Sequence, residues 1–176
     1  QVIPHTQVGG VVSLVGVKYT TARLAAECAV DALGLARTTG RTGNALLPHA
    51  DVADSDGLLQ ETLRRLRRTL DRDVMRHLAS WYGTEGATVV DASAKGDGLE
   101  RLSPETPVLC GEITYAARNS AATRLSDLVF RRTPLASAGH PGDAALTRAG
   151  ALAAAELGWS EQRLAEELAL VRSRLP

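Results

Sequence analysis

"GLLQETLRRLRRTLDRDVMRHL", residues 57–78, carries the reading of the fold. Leu59, Leu63, Leu66, Leu70, Val74 and Leu78 recur at helical intervals, so they share one stripe of a helix. Arg64, Arg65, Arg67, Arg68 and Arg72 fall largely off that stripe. The spacing predicts one long helix that buries leucine and shows arginine to water. The arginines read most simply as a solvated face, because Glu61, Asp71 and Asp73 dilute their charge.

Downstream of this stretch the pattern is helical throughout. "WYGTEGATVVDAS" reads as a turn and a short helix, and Pro104 and Pro107 interrupt the chain before a helical stretch around Ile113 to Leu128. Gly139 to Gly142 reads as a turn, and residues 144 to 157 as an alanine-rich helix that Gly158 stops. Ser160 is placed to cap a last helix with Leu164, Leu168, Val171 and Leu175 on its buried side.

Upstream, four glycines, one proline and scattered aspartates between Gly34 and Gly57 read as a linker or long surface loop. Before it, Val11 to Val15 suggests a short strand buried on both faces. Gly16 then allows a tight turn, and Thr20 or Thr21 can cap a helix running to about Leu33. On that helix only Arg23, Glu27 and Asp31 form a wet stripe, so most of its circumference is expected to be buried. The expected organisation is residues 1–35 as the tail of another domain, 36–56 as linker and 57–176 as an all-helical domain. The fold class is therefore mainly α, with a strand-turn-helix segment ahead of a helix bundle.

Bulk properties narrow the function classes. The 176 residues balance 20 basic against 20 acidic side chains, so no overall charge points to nucleic acid. Cys28 and Cys110 give no metal or disulfide framework and read as small buried hydrophobes in a reducing compartment. The apolar runs are too short to span a bilayer, and no basic-then-apolar leader opens the sequence. Gln1 in place of an initiator methionine reads as the start of a piece of something longer. Abundant alanine and arginine suggest a GC-rich bacterial source.

Nucleotide and hydrolase motifs fail on spacing. Gly10 and Gly16 enclose five residues and Val17 precedes Lys18, so the phosphate-loop pattern is missed twice. No G-x-G-x-x-G or G-x-S-x-G is present. His5, His49, His77 and His140 lack ligand spacing and read as surface or loop residues, with no metal expected. What remains is a glycine turn and a helix start beside Lys18, an arrangement suited to an anion or to developing negative charge. A plain surface lysine explains the same features equally well.

Together these segments resemble a known family. "VGVKYTTARLAAECAVD" is similar to the strand, Gly-Gly-Lys-x-Thr-Thr-x-Arg turn and helix that close the FAD domain of flavin-dependent glycerol-3-phosphate dehydrogenases. "LASWYGTEGATVV" resembles their Leu-x-x-x-Tyr-Gly segment. "CGEITYAARNSAATRLSDLVFRRTPL" resembles their Glu-x-x-Tyr-Ala-x-Arg helix and Asp-x-Leu-x-Arg-Arg-Thr signature, and "AAELGWSEQRLAEEL" their last helices. Two departures stand out: Val17 replaces the second glycine, and Asn119 and Ser120 stand where the family carries acidic residues.

The resemblance implies the C-terminal part of an enzyme that oxidises glycerol 3-phosphate to dihydroxyacetone phosphate with FAD and passes electrons to quinone. It implies Lys18 as a catalytic residue reaching the substrate, and Gly16, Val17, Lys18, Tyr19, Thr20 and Thr21 as the flavin-facing segment. It further implies a cytoplasmic protein, compatible with peripheral attachment to the inner face of the cell membrane and with a homodimer. The isolated chain is expected to be inactive, because the nucleotide-binding half is absent. Two rivals stay open: a non-catalytic helical module binding a partner protein or nucleic acid, and a flavoprotein oxidase of another hydroxy or amino acid.

Overall fold

A computed structural model describes residues 1–16, 18–35, 40–50 and 55–176, which form two compact units, Gln1–Pro48 and His49–Pro176. In the first, strands β1 (Val2–Pro4) and β2 (Val12–Leu14) pair antiparallel, with Val2 opposite Leu14 and Pro4 opposite Val12. Helix α1 (Ala22–Ala32) rests on this hairpin and ends at Leu33, before Gly34 with φ +66°.

Neither element is buried as the sequence predicts. Leu14 is 44% exposed and Leu24 53%, and Ala29 is the one buried residue of α1. The reason is physical: a two-stranded ribbon covers one side of one helix and nothing more. Cys28 accordingly lies exposed on α1, not buried.

The second unit is helical: α2 (Ser55–Leu66), α3 (Arg72–Tyr82), α4 (Gly86–Ala92), α5 (Cys110–Asn119), α6 (Leu125–Asp127), α7 (Asp143–Leu157) and α8 (Glu161–Arg172). Among its described residues the only β pairing is an isolated bridge between Arg101 and Leu109. The predicted long helix is two. Arg67 turns left-handed at φ +53°, its N–H bonding the Arg64 carbonyl, and α3 restarts after an extended Asp71. Arg101 fastens this restart by donating to Asp71 at 2.8 Å and to Asp73 at 2.6 Å. The stripe survives the bend because Leu59, Leu63, Val74 and Leu78 all enter one core with Val89, Val90 and Leu109.

The helix expected around 113–128 is interrupted as well. The side chains of Asn119 and Ser120 donate to the carbonyls of Tyr115 and Ala116, ending α5, and Ala121 takes φ +51°. Asp127 then accepts from the Arg124 N–H at 3.2 Å to open α6, which continues as a π-helical turn over Leu128–Arg132. Thr133 closes that turn, its hydroxyl donating to the Leu128 carbonyl at 2.8 Å.

A second core gathers Ile113, Leu125, Leu128, Leu146, Ala149 and Val171 from α5 to α8. Gly150 lets α7 and α8 approach, since a Cβ there would lie 2.9 Å from Leu164. Gly158, in the left-handed region, ends α7, and the Ser160 hydroxyl caps α8 by accepting from the Arg163 N–H at 3.2 Å. Helix α5 serves both cores: Ile113 faces the second while Tyr115 packs on the first.

Candidate functional site

The predicted site spans the turn between β2 and α1. Gly16 has φ +70° with open space around its Cα, and Lys18 is extended and exposed with no carboxylate partner among the described residues. Val17 lies outside the described residues. Tyr19–Thr21 form one 3-10 turn that runs directly into α1, and the Tyr19 side chain is 97% exposed.

The threonine cap takes another form. Thr21 occupies the N-cap position of α1, yet its hydroxyl donates to the Lys18 carbonyl at 3.1 Å instead of accepting from the helix. The Thr21 and Ala22 N–H groups bond the Lys18 and Tyr19 carbonyls within the 3-10 turn, which stands at the positive end of the helix dipole. Behind the turn, Arg23 donates to Glu27 at 2.8 Å and to Thr42 at 3.0 Å, so the wet stripe of α1 pairs its charges internally. The turn thus presents an ammonium beside a helix start, and no acid among the described residues pairs with it.

The second unit holds a polar cluster that reading the sequence missed. Glu112 is fully buried, accepting from the Leu109 N–H at 2.7 Å and meeting His77 Nε2 at 2.8 Å. His77 is therefore no surface residue: its side chain is 8% exposed, between Glu112 and the Tyr82 ring. The Tyr82 hydroxyl is buried without a hydrogen bond, and burial together with the nearby Glu112 charge raises its pKa far above the usual phenol value. Tyr115 donates to Glu85 at 2.8 Å, and burial plus that bond push its pKa up to about 12.

The signal for this cluster lay in residues already singled out: Tyr82 and Gly83 of one motif, Glu112 and Tyr115 of another. Their spacing shows each on a helix but not that α3 and α5 meet. A second buried carboxylate, Glu167 on α8, accepts from the Leu125 N–H at 2.9 Å and pairs with Arg124 and Arg163. Only helical position i+3 from Leu164 hinted at it. Burial pushes the thiol of Cys110 up to about 11, which makes it an inert core group. Among the described residues no cluster of His, Cys, Asp and Glu is placed to hold a metal ion.

Residues 12–164 match the family model described as the C-terminal domain of alpha-glycerophosphate oxidase. This chain belongs to that family. Both the Lys18 turn and the Glu112 cluster lie inside the matched span. The chain is 32% identical to mitochondrial glycerol-3-phosphate dehydrogenase of Mus musculus, with 90% of this chain and 23% of that protein aligned. It is 28% identical to glycerol-3-phosphate dehydrogenase of Mycobacterium leprae, covering 96% of this chain and 30% of that one. For a probable mitochondrial glycerol-3-phosphate dehydrogenase of Dictyostelium discoideum the identity is 26%, over 90% and 25%. The chain spans about a quarter of the length of the curated relatives it matches. No solved structure matches it. The resemblance read from the ordered motifs is thereby borne out at the level of the family.

Proposed function

We propose that this chain is the C-terminal part of a flavin-dependent glycerol-3-phosphate dehydrogenase, with residues 1–35 closing the FAD domain, 36–56 a linker and 57–176 the helical domain. The observation that carries the reading is the exposed Lys18 at the start of a helix, within the span that matches the family. When bound, FAD would supply the acceptor for the hydride of the substrate carbon. The residues here fit its pyrimidine end: Gly16 offers open backbone, and the 3-10 turn at Tyr19, Thr20 and Thr21 presents a positive helix end. Lys18 holds the phosphorylated substrate by charge and orients its reacting carbon. Electrons then pass to a quinone.

The Mus musculus and Mycobacterium leprae relatives, both glycerol-3-phosphate dehydrogenases, support glycerol 3-phosphate as the substrate. No helix among the described residues is long and apolar enough to cross a membrane. The proposal includes a cytoplasmic location with peripheral attachment to the inner face of the cell membrane, and a homodimer, as the family resemblance implies.

The test is Lys18→Met in the full-length enzyme. The kcat/KM for glycerol 3-phosphate should fall about a hundredfold or more, the cost of a charge-assisted bond at a desolvated site. Flavin content should persist. An unchanged kcat/KM would return Lys18 to an ordinary surface lysine. A wild-type enzyme inactive on glycerol 3-phosphate, and not rescued by Val17→Gly, would remove the substrate assignment.

A further inference from the structure

Between α2 and α3 runs a groove of about 930 Å³, and Arg64, Arg68, Arg72 and Arg76 line it. Reading the arginines of this stretch as a solvated face misses this convergence. Arg72 and Arg76 stand one turn apart on α3, while the bend at Arg67 brings Arg64 and Arg68 to the same groove. Its floor is apolar, including Leu70 and Met75. Among the described residues Asp56 is the only acidic one on the lining.

Charge pairing sets this groove apart. Elsewhere in the second unit most arginines find carboxylates, among them Arg65 with Asp91, Arg118 with Glu156, Arg131 with Asp127, and Arg148 with Asp97 and Glu100. None of the four groove guanidinium groups has an ion-pair or hydrogen-bond partner among the described residues. Four like charges converging on one concavity repel each other, and the single described acid on the lining, Asp56, is ion-paired with none of them. An arginine fork matches phosphate oxygens two at a time, and the floor offers apolar area that water covers poorly.

We infer that the α2–α3 groove binds a phosphate ester carrying an apolar tail, its phosphate held by Arg68 and Arg72 and its tail on Leu70 and Met75. The site is built wholly from the second unit and does not depend on the redox reading. One chemistry covers two sources, a free amphiphilic phosphate and the headgroup of an anionic lipid in a bilayer.

The test uses the 176-residue chain and short-chain phosphatidic acid, kept monomeric, followed by calorimetry at low salt. The same chain is sedimented with phosphatidylcholine vesicles with and without phosphatidylglycerol. Saturable binding of the monomer identifies a free ligand, and sedimentation with anionic vesicles alone identifies a bilayer source; both support the site. In either arm the double variant Arg68→Gln, Arg72→Gln should bind at least about tenfold more weakly. The variant Arg174→Gln removes one exposed arginine outside the groove and should bind like wild type. Equal binding by the double variant, equal binding of short-chain phosphatidylcholine, or no binding in either arm would overturn the inference. Circular dichroism of the double variant separates lost affinity from lost fold.

Discussion

The two units spend similar residues very differently. Residues 1–48 contain an apolar helix, a β-branched strand and a cysteine, yet Ala29 is their only buried side chain among those described. Residues 49–176 are rich in arginine and carboxylates, yet they bury two cores and two complete carboxylates, Glu112 and Glu167. Apolar content alone therefore does not measure how much of a segment is buried. What decides it is how many elements surround each stripe: one hairpin for α1, but α2, α3 and α4 around a single leucine cluster.

If this contrast is right, mutation should be costly in one unit and nearly silent in the other. The largest effect is expected at Leu78, which is fully buried. Leu78→Ala should lower the unfolding free energy by about 2–5 kcal/mol in urea titrations. A loss below about 1 kcal/mol would mean that the first core is loosely packed, and the contrast would break.

Next comes Glu112→Ala, which strands the Leu109 N–H and leaves His77 without its partner. About 1–3 kcal/mol should be lost. Glu112→Gln, which keeps an acceptor for Leu109, should lose less. Equal losses would show that the charge, not the acceptor, matters at this site.

Tyr115→Phe sharpens the picture on the pH axis. The hydrogen bond to Glu85 is part-buried, and its loss should cost about 1 kcal/mol near neutral pH. In the folded protein the Tyr115 phenol is raised from its ordinary 10.0 to about 12. Its protonated form is thus favoured by folding, and that contribution is whole below pH 10. It disappears as pH rises through about 12. Tyr82, raised for the same reason of burial, adds to the decline. The variant should show a shallower fall of stability in this window; an unchanged slope would assign the whole effect to Tyr82.

The smallest effect is expected in the first unit. Leu24→Ser replaces an exposed apolar side chain, 53% accessible, and should change the stability of the chain by less than about 0.5 kcal/mol. A loss of 2 kcal/mol or more would show that α1 is buried in solution, and would erase the contrast.

Much of the helical unit was legible because its signals are local. The leucine spacing of 59–78, Gly158 in the left-handed region and Ser160 at a cap each depend on a few neighbouring residues. The bend at Arg67 was not legible, because no glycine or proline marks it and Arg101, far along the chain, fastens it. The break after Asn119 was half visible: two residues that bond their own backbone stand together there, but a helix can also tolerate them. Of the candidate site, the glycine turn and Lys18 were readable as a motif. The His77–Glu112 contact was not, since it joins residues 35 apart on two helices that both pack against α4.

Glu167 has a consequence for the order in which the chain can mature. The N–H of Leu125, at the mouth of α6, finds its acceptor on a residue 42 positions later. As the polypeptide leaves the ribosome, the segment from Arg124 to Thr133 must wait for α8 before its first turn is neutralised. The first core needs nothing beyond Tyr115 and can settle earlier. A nascent chain stalled before residue 160 would thus hold one finished layer and one unlatched layer. The unlatched part, with Leu125 and Leu128 uncovered by α8, is where a chaperone would find its grip.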